Sequence, residues 1–163
     1  MNLEEMYEQY FSKIYNYVFF RVMNKQDAED ITSIVFLKVA EAFSSFDPSK
    51  GDFSSWIFRI AENSLIDFYR KKRFSVNIED LDDSLTLSTD FEGEANLIKN
   101  ERLKIMYNEL AFLDGKTRHI IAQKYFLDKT IRQIAKDMNM NESTVSTMHN
   151  RGLQKLRKQM AEL

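Results

Sequence analysis

Thr130-Ile-Arg-Gln-Ile-Ala-Lys-Asp-Met-Asn139 and Met140-Asn-Glu-Ser-Thr-Val-Ser-Thr-Met-His-Asn-Arg151 are the two halves of the stretch that decides the fold. Thr130 and Gln133 have capping-box spacing, in which the hydroxyl accepts from the third amide and the Gln side chain reaches back to the backbone N–H of the cap residue. The box predicts a short helix with Ile131, Ile134, Ala135 and Met138 on one face. Asn139 tolerates the left-handed backbone that ends such a helix, and Asn141 is placed to cap the next, through Val145, Gly152 and Leu156. Two short helices across a three- to four-residue turn are helix-turn-helix geometry. The small Ala135 admits close approach, and Val145 wedges between the helices.

The last helix turns Ser143, Thr144, Ser146, Thr147, Asn150 and Arg151 outward. Such side chains donate and accept the hydrogen bonds that reading base edges in a major groove requires. Around them Lys129, Arg132, Lys155, Arg157 and Lys158 are placed to hold phosphates. The competing reading is a solvated face on a small bundle. Upstream, Leu103, Met106, Tyr107, Leu110 and Leu113 mark another helix, Asp114-Gly115 a turn and Arg118–Phe126 a further helix.

The net charge of −2 conceals a sharp division. Residues 98–163 carry +6, residues 75–97 carry −7 with no base at all, and residues 1–74 carry −1. The acidic stretch alternates acids with isolated Leu, Ser and Thr and has no helical face, so it reads as a flexible linker between two domains, 1–74 and 98–163. Its 23 residues reach about 75–80 Å when extended.

Sixteen of the 21 aromatic residues precede residue 75. Leu3, Met6, Tyr7, Tyr10, Ile14, Tyr17 and Val18 recur at spacings of three and four, the mark of a buried helix face. Asp27-Ala-Glu-Asp30 opens a second helix, with Asp27 as its expected N-cap and Ala28, Ile31, Val35, Val39 and Ala42 inward. The only Pro lies in Phe46-Asp-Pro-Ser-Lys-Gly-Asp52, a loop. A third helix from Phe53 to about Arg73 places Trp56, Ile57, Ile60, Ala61, Ser64, Leu65 and Phe68 inward. It ends in Arg70-Lys71-Lys72-Arg73. Those cations suit the negative end of a helix dipole. With Trp56, Phe58, Arg59 and Asn63 on the same helix, and Phe46 and Phe53 beside it, they also suit an unstacked strand. Aromatics at helical spacing are equally the material of a core.

Four Gly and one Pro point to an all-α fold, since turn-rich β folds need many more of both. The absence of Cys removes disulfides, thiolate metal sites and cysteine nucleophiles. His119 and His149 lie in different helices without a metal-ligand spacing, and Gly51, Gly93, Gly115 and Gly152 form no phosphate loop. Neither an enzyme nor a cofactor site is expected. No apolar run reaches the ~18–20 residues of a membrane span, and Met1–Tyr10 is too acidic for a signal peptide, so the expected compartment is the cytoplasm without membrane insertion.

In its ordering the chain resembles the extracytoplasmic-function sigma factors of the sigma-70 family. The resemblance rests on Tyr7–Arg21 with Asp27-Ala-Glu-Asp30, on Phe53-Ser-Ser-Trp-Ile-Phe-Arg-Ile-Ala-Glu-Asn63, and on the terminal helix-turn-helix. It implies a non-catalytic subunit that binds core RNA polymerase, reads the −10 and −35 promoter elements and melts DNA. By the same resemblance, Asp27, Glu29 and Asp30 begin the helix that docks on the clamp helices of the largest polymerase subunit. Phe46, Phe53, Trp56, Arg59 and Asn63, with Arg70, Lys71, Lys72 and Arg73 on phosphates, serve the melted −10 strand. Arg132, Ser143, Thr144, Ser146, Thr147, Asn150, Arg151 and Lys155 serve the −35 element. An anti-sigma factor is a further partner that the resemblance implies. The sequence departs from the family at Met148, where Arg is frequent, at His149, where an apolar residue is usual, and at Gly152, where Ala is usual. Gly152 should loosen its helix by roughly 0.5–1 kcal/mol. The alternative is a helix-turn-helix regulator whose N-terminal domain binds a ligand.

Overall fold

The computed structural model describes residues 1–75 and 108–161. The described residues are helices and turns with no strand, and the chain divides into two compact units. The acidic segment from 76 onward, and Leu103, Met106 and Tyr107 of the helix expected there, lie outside the described residues.

The first unit holds α1 (Leu3–Val22), α2 (Lys25–Ala42) and α3 (Phe53–Ser75). Asn2 and Glu5 form a capping box at the start of α1. That helix buries Met6, Tyr10, Ile14, Tyr17 and Val18, but leaves Leu3 and Tyr7 44% and 48% exposed. Tyr7 instead lies on the rim, its ring 4.9 Å from Phe11 and 5.0 Å from Phe36. Met23 ends the helix in a left-handed conformation at φ 52°, and its N–H donates to Phe19 O at 2.7 Å. The N-cap of α2 is Asn24 rather than Asp27. The buried Asn24 amide oxygen accepts from Asp27 N at 2.8 Å, so the helix begins two residues before Asp27. Between α2 and α3 the expected loop contains single turns of 3-10 helix, Phe43–Ser45 and Pro48–Lys50. Gly51 follows at φ 155°, which side-chain-bearing residues rarely adopt. Asp52 then caps α3 by accepting from Ser55 N and Oγ at 2.9 and 2.7 Å.

Helix α2 packs on both α1 and α3. Ile14, Val18, Ile31, Val35, Val39, Ile57, Ala61 and Leu65 form the core. Full burial of each aliphatic side chain as large as Val contributes about 1.5–3 kcal/mol. One polar cluster ties α1 to α3. Tyr17 Oη donates to Glu62, and Arg21 Nη1 reaches Glu62 at 2.8 Å and the Tyr17 oxygen at 3.3 Å. Tyr69 Oη donates to the Arg21 carbonyl at 3.0 Å.

The second unit holds α4 (Gly115–Phe126), α5 (Ile131–Met138) and α6 (Glu142–Ala161), preceded by helical residues 108–112. Asp114 is no isolated turn residue: it caps α4, accepting from Thr117 N and Oγ1 at 2.9 and 2.7 Å. The helix therefore starts three residues earlier than Arg118. The Thr130–Gln133 capping box is present, with reciprocal bonds of 3.1 and 2.9 Å. Asn139 adopts φ 53° and ψ 48°, and α6 begins three residues after it. Ile120, Ile134, Ala135 and Val145 form the core, flanked by Ile131, Met138, Met140 and Met148.

Gly152 has a packing reason that helix propensity does not show. A Cβ there would stand 2.7 Å from Thr117 Cγ2 and 3.0 Å from Ile121 Cδ1. The missing side chain is what lets α6 lie against α4, so the helix-propensity loss buys close packing.

Candidate nucleic-acid interfaces

On α3, Trp56, Arg59, Asn63 and Arg70 follow one another at spacings of three, four and seven, and so share a face. Arg59, Asn63 and Arg70 are exposed and Trp56 half-buried. The half-buried Phe46 ring lies 5.2 Å from Trp56, bringing the loop to the N-terminal end of that face. Arg70 is steadied there by Asp67 at 2.9 Å, and Asp67 also meets Lys38 of α2 at 3.4 Å. The loop's shape is fixed locally. Ser49 donates through its hydroxyl and N–H to Asp47, which holds that carboxyl below the usual carboxylate range. The N–H and hydroxyl of Ser55 do the same for Asp52.

Three residues are not where a strand-binding face needs them. Phe53 is only 8% exposed, enclosed by Tyr10, Phe43, Phe46 and Trp56 at 5.2–6.0 Å. As the first residue of α3 it faces the core, and it supports Phe46 and Trp56 from beneath instead of presenting a ring. Phe58 is buried against Tyr17. Lys72 departs from its basic neighbours: it lies over Phe68 at 5.4 Å and pairs with Asp27 of α2 at 3.9 Å. Lys71 is exposed, and the side chain of Arg73 lies outside those described.

Asp27, expected on the polymerase side, is thus the counterion of Lys72. Glu29 and Asp30 are exposed on α2, facing Lys25 at 4.0 Å and Gln26 at 3.0 Å respectively. The sequence reading missed Ile34 and Leu37, 46% and 61% exposed on the same face as Asp30. The available signal was that both fall outside the Ala28-Ile31-Val35-Val39 periodicity of the inner face.

On α6, Ser143, Thr144, Thr147, Asn150, Arg151 and Lys155 are exposed and Ser146 half-buried. Thr147 Oγ1 donates to Ser143 O at 2.8 Å, which leaves its methyl and its two acceptor lone pairs for a ligand. Arg132 of α5 meets Glu142 of α6 at 3.7 Å across the turn, with both side chains exposed. His149 is 7% exposed and stacks on Tyr125 with ring centroids 5.7 Å apart. Its Nε2 is 3.1 Å from Tyr125 Oη, and its Nδ1 is 3.2 Å from Asn150 Oδ1. Among the described residues no group of acids and histidines could hold a metal, and no helix is long and apolar enough to cross a membrane.

Comparison with known proteins agrees with this layout. Residues 6–75 match the family described as Sigma-70 region 2, and residues 110–158 match Sigma-70, region 4. The ECF RNA polymerase sigma factor SigW of Bacillus subtilis is 30% identical over 162 residues, covering 94% of this chain and 86% of that protein. RNA polymerase sigma factor SigZ of the same organism is 30% identical over 163 residues, covering 99% and 88%. The fold is shared with the sigma factor RpoE of Bartonella quintana, solved in complex with the anti-sigma factor NepR. The TM-score is 0.66 and the identity 14%, over 97% of this chain and 96% of that one. The chain belongs to the extracytoplasmic-function sigma factors of the sigma-70 family, the initiation factors that direct core RNA polymerase to promoters.

Proposed function

We propose that this sigma factor divides the promoter between its two units, melting and holding the −10 strand on α3 and reading the −35 duplex with α6. The observation that carries the reading is the shared α3 face of Trp56, Arg59, Asn63 and Arg70 beside Phe46. An aromatic surface takes an unstacked base and the cations take the backbone. Extruding a base costs a few kcal/mol, and stacking returns about 1–3 kcal/mol per base, so melting proceeds without fuel once polymerase holds both partners. Asp30, Glu29, Ile34 and Leu37 form a mixed acidic and apolar face on α2, suited to the clamp helices of the largest polymerase subunit. The units correspond to residues 1–74 and 98–163, tethered by the acidic stretch 75–97. Two elements two helical turns apart lie about 70 Å from one another, within the reach of that tether. The protein acts in the cytoplasm, performs no catalysis of its own and is held in check by an anti-sigma factor.

Run-off transcription with core polymerase tests this. The holoenzyme should give promoter-dependent transcripts, whereas the free chain should bind promoter duplex poorly. Trp56→Ala and Asn63→Ala should lower open-complex formation about tenfold, scored by permanganate reactivity of unpaired thymines, with core binding unchanged. Equal loss of both would contradict the assignment.

A further inference from the structure

We infer that His149 is a positioning residue that fixes which edge of the Asn150 amide faces DNA, and so sets the base preference at one −35 position. The inference rests on the reading of α6 as the −35 helix. Asn150 Oδ1 can only accept, so the 3.2 Å contact requires the proton on His149 Nδ1. In the neutral ring Nε2 is then bare, and it receives the Tyr125 hydroxyl at 3.1 Å. The Tyr125 stack holds the ring plane, and its near-complete burial leaves little room for another orientation.

The amide is planar and has two ends. With Oδ1 turned to the ring, the Nδ2 amino group is the end left to meet a base. A free Asn reads adenine by a bidentate contact, accepting from N6 and donating to N7. With its carbonyl turned to the His149 ring and one lone pair taken there, Asn150 presents its amino group to a base and cannot place its oxygen for the bidentate adenine contact. It therefore favours acceptors, namely guanine O6 and N7, adenine N7 or thymine O4, and opposes the cytosine amino group. Adenine gains nothing over guanine. The arrangement needs His at 149 and a hydroxyl at 125 together. An apolar side chain at 149 would leave the amide free to turn.

The test uses holoenzyme assembled from core polymerase and the full chain, with duplexes randomised over both promoter elements and sequenced after selection. Asn150→Ala should flatten the preference at one −35 position. His149→Leu should alter that same position alone, raising the adenine-to-guanine ratio about fivefold or more. His149→Asn, whose amide can donate from the place of Nδ1, should restore the original profile. Tyr125→Phe, which keeps the stack but removes the donor to Nε2, should shift the ratio in the direction of His149→Leu by a smaller factor. If His149→Leu does not fold, Tyr125→Phe carries the test, and an unchanged profile there overturns the inference. A uniform loss across all −35 positions with His149→Leu, or no change where Asn150→Ala has one, also overturns it. No change with Asn150→Ala instead removes the base-reading role of Asn150 on which it stands.

Discussion

The first unit fastens its helices with aromatic rings and a half-hidden ion pair, whereas the second uses a small aliphatic core and hydrogen-bonded caps. In the first, buried rings carry exposed and half-buried ones directly. Phe53 supports Phe46 and Trp56 at 5.2 Å each, so the ring surface proposed for a base is the outer layer of the packing itself. In the second, Val145 and Gly152 point inward while Ser143, Asn150 and Arg151 point out. A base-reading side chain there can change without disturbing the core. On the proposed roles, sequence change should be costly at the α3 face and cheap at most of the α6 face.

The largest effect should come from the polar cluster of the first unit. The Arg21 side chain is 10% exposed and that of Glu62 22%, 2.8 Å apart. Glu62→Ala removes the acceptor that Arg21 and Tyr17 share. Leaving a guanidinium so enclosed without this carboxylate should cost about 3 kcal/mol or more. The sole Trp, Trp56, reports this unit in urea denaturation. Its midpoint should fall, while ring-proton signals of Tyr125 and His149 keep the wild-type transition; joint movement of both would break the comparison. The cluster also predicts an alkaline limb. Burial pushes the Tyr17 phenol up, with the Glu62 charge adding to that and the Arg21 charge opposing it. A raised acid stabilises the fold fully below the unfolded phenol's value near 10. That contribution is lost as pH climbs above it, because only the unfolded chain releases the proton. Tyr17→Phe should remove this slope.

The asymmetry also governs how far the sequence could be read. The helix-turn-helix was legible because its signals are local: Thr130 and Gln133 cap by spacing, and Asn139 takes the left-handed turn. The class of the first unit was legible from periodicity, but its interface was only half so. An aromatic ring gives the same hydrophobic signal whether it lies in a core or on a surface, and Phe53 and Phe58 are both buried. Four successive bases sweep all around a helix, and only three-dimensional packing shows that Lys72 is the one that reaches Asp27. The packing reason for Gly152 is hidden for a related reason. Propensity describes an isolated helix, whereas the methyl of Thr117 on another helix decides what position 152 can hold. Arg118, of a residue type that is mostly exposed, is wholly buried here.

A smaller effect should come from that contact. Gly152→Ala gains about 1 kcal/mol of helix propensity but places a carbon 2.7 Å from Thr117 Cγ2. Overpacking of this kind costs about 1–3 kcal/mol, so the net change should be a loss of about 1 kcal/mol in the second unit, read as a lower melting temperature. Thr117→Ser removes the offending methyl and keeps the hydroxyl that donates to Asp114. The double variant should recover most of the loss, and a purely additive pair would show that the contact does not govern packing there.

The smallest effect should come from the cap of α4. Asp114 is partly buried, which by itself would raise its pKa, yet the N–H and hydroxyl of Thr117 outweigh burial and hold the carboxyl below its ordinary value. A lowered acid contributes stability that is present above the unfolded value of 3.8 and lost as pH falls through the folded one. Asp114→Asn keeps an acceptor for the Thr117 N–H but cannot titrate, so it should differ from wild type by only a few tenths of a kcal/mol near neutrality, while Asp114→Ala should lose about 1 kcal/mol. Below pH 4 the wild-type advantage over Asp114→Asn should shrink toward nothing. Asp47 and Asp52 titrate with the same sign in the first unit, so a global melt would mix the two. The Thr117 amide proton is specific. Its chemical shift should titrate with a midpoint below 3.8 in the wild type and stay flat in Asp114→Asn. A midpoint at or above the free carboxylate value would mean that the cap does not hold the second unit's first helix as the first unit is held by its ion pair.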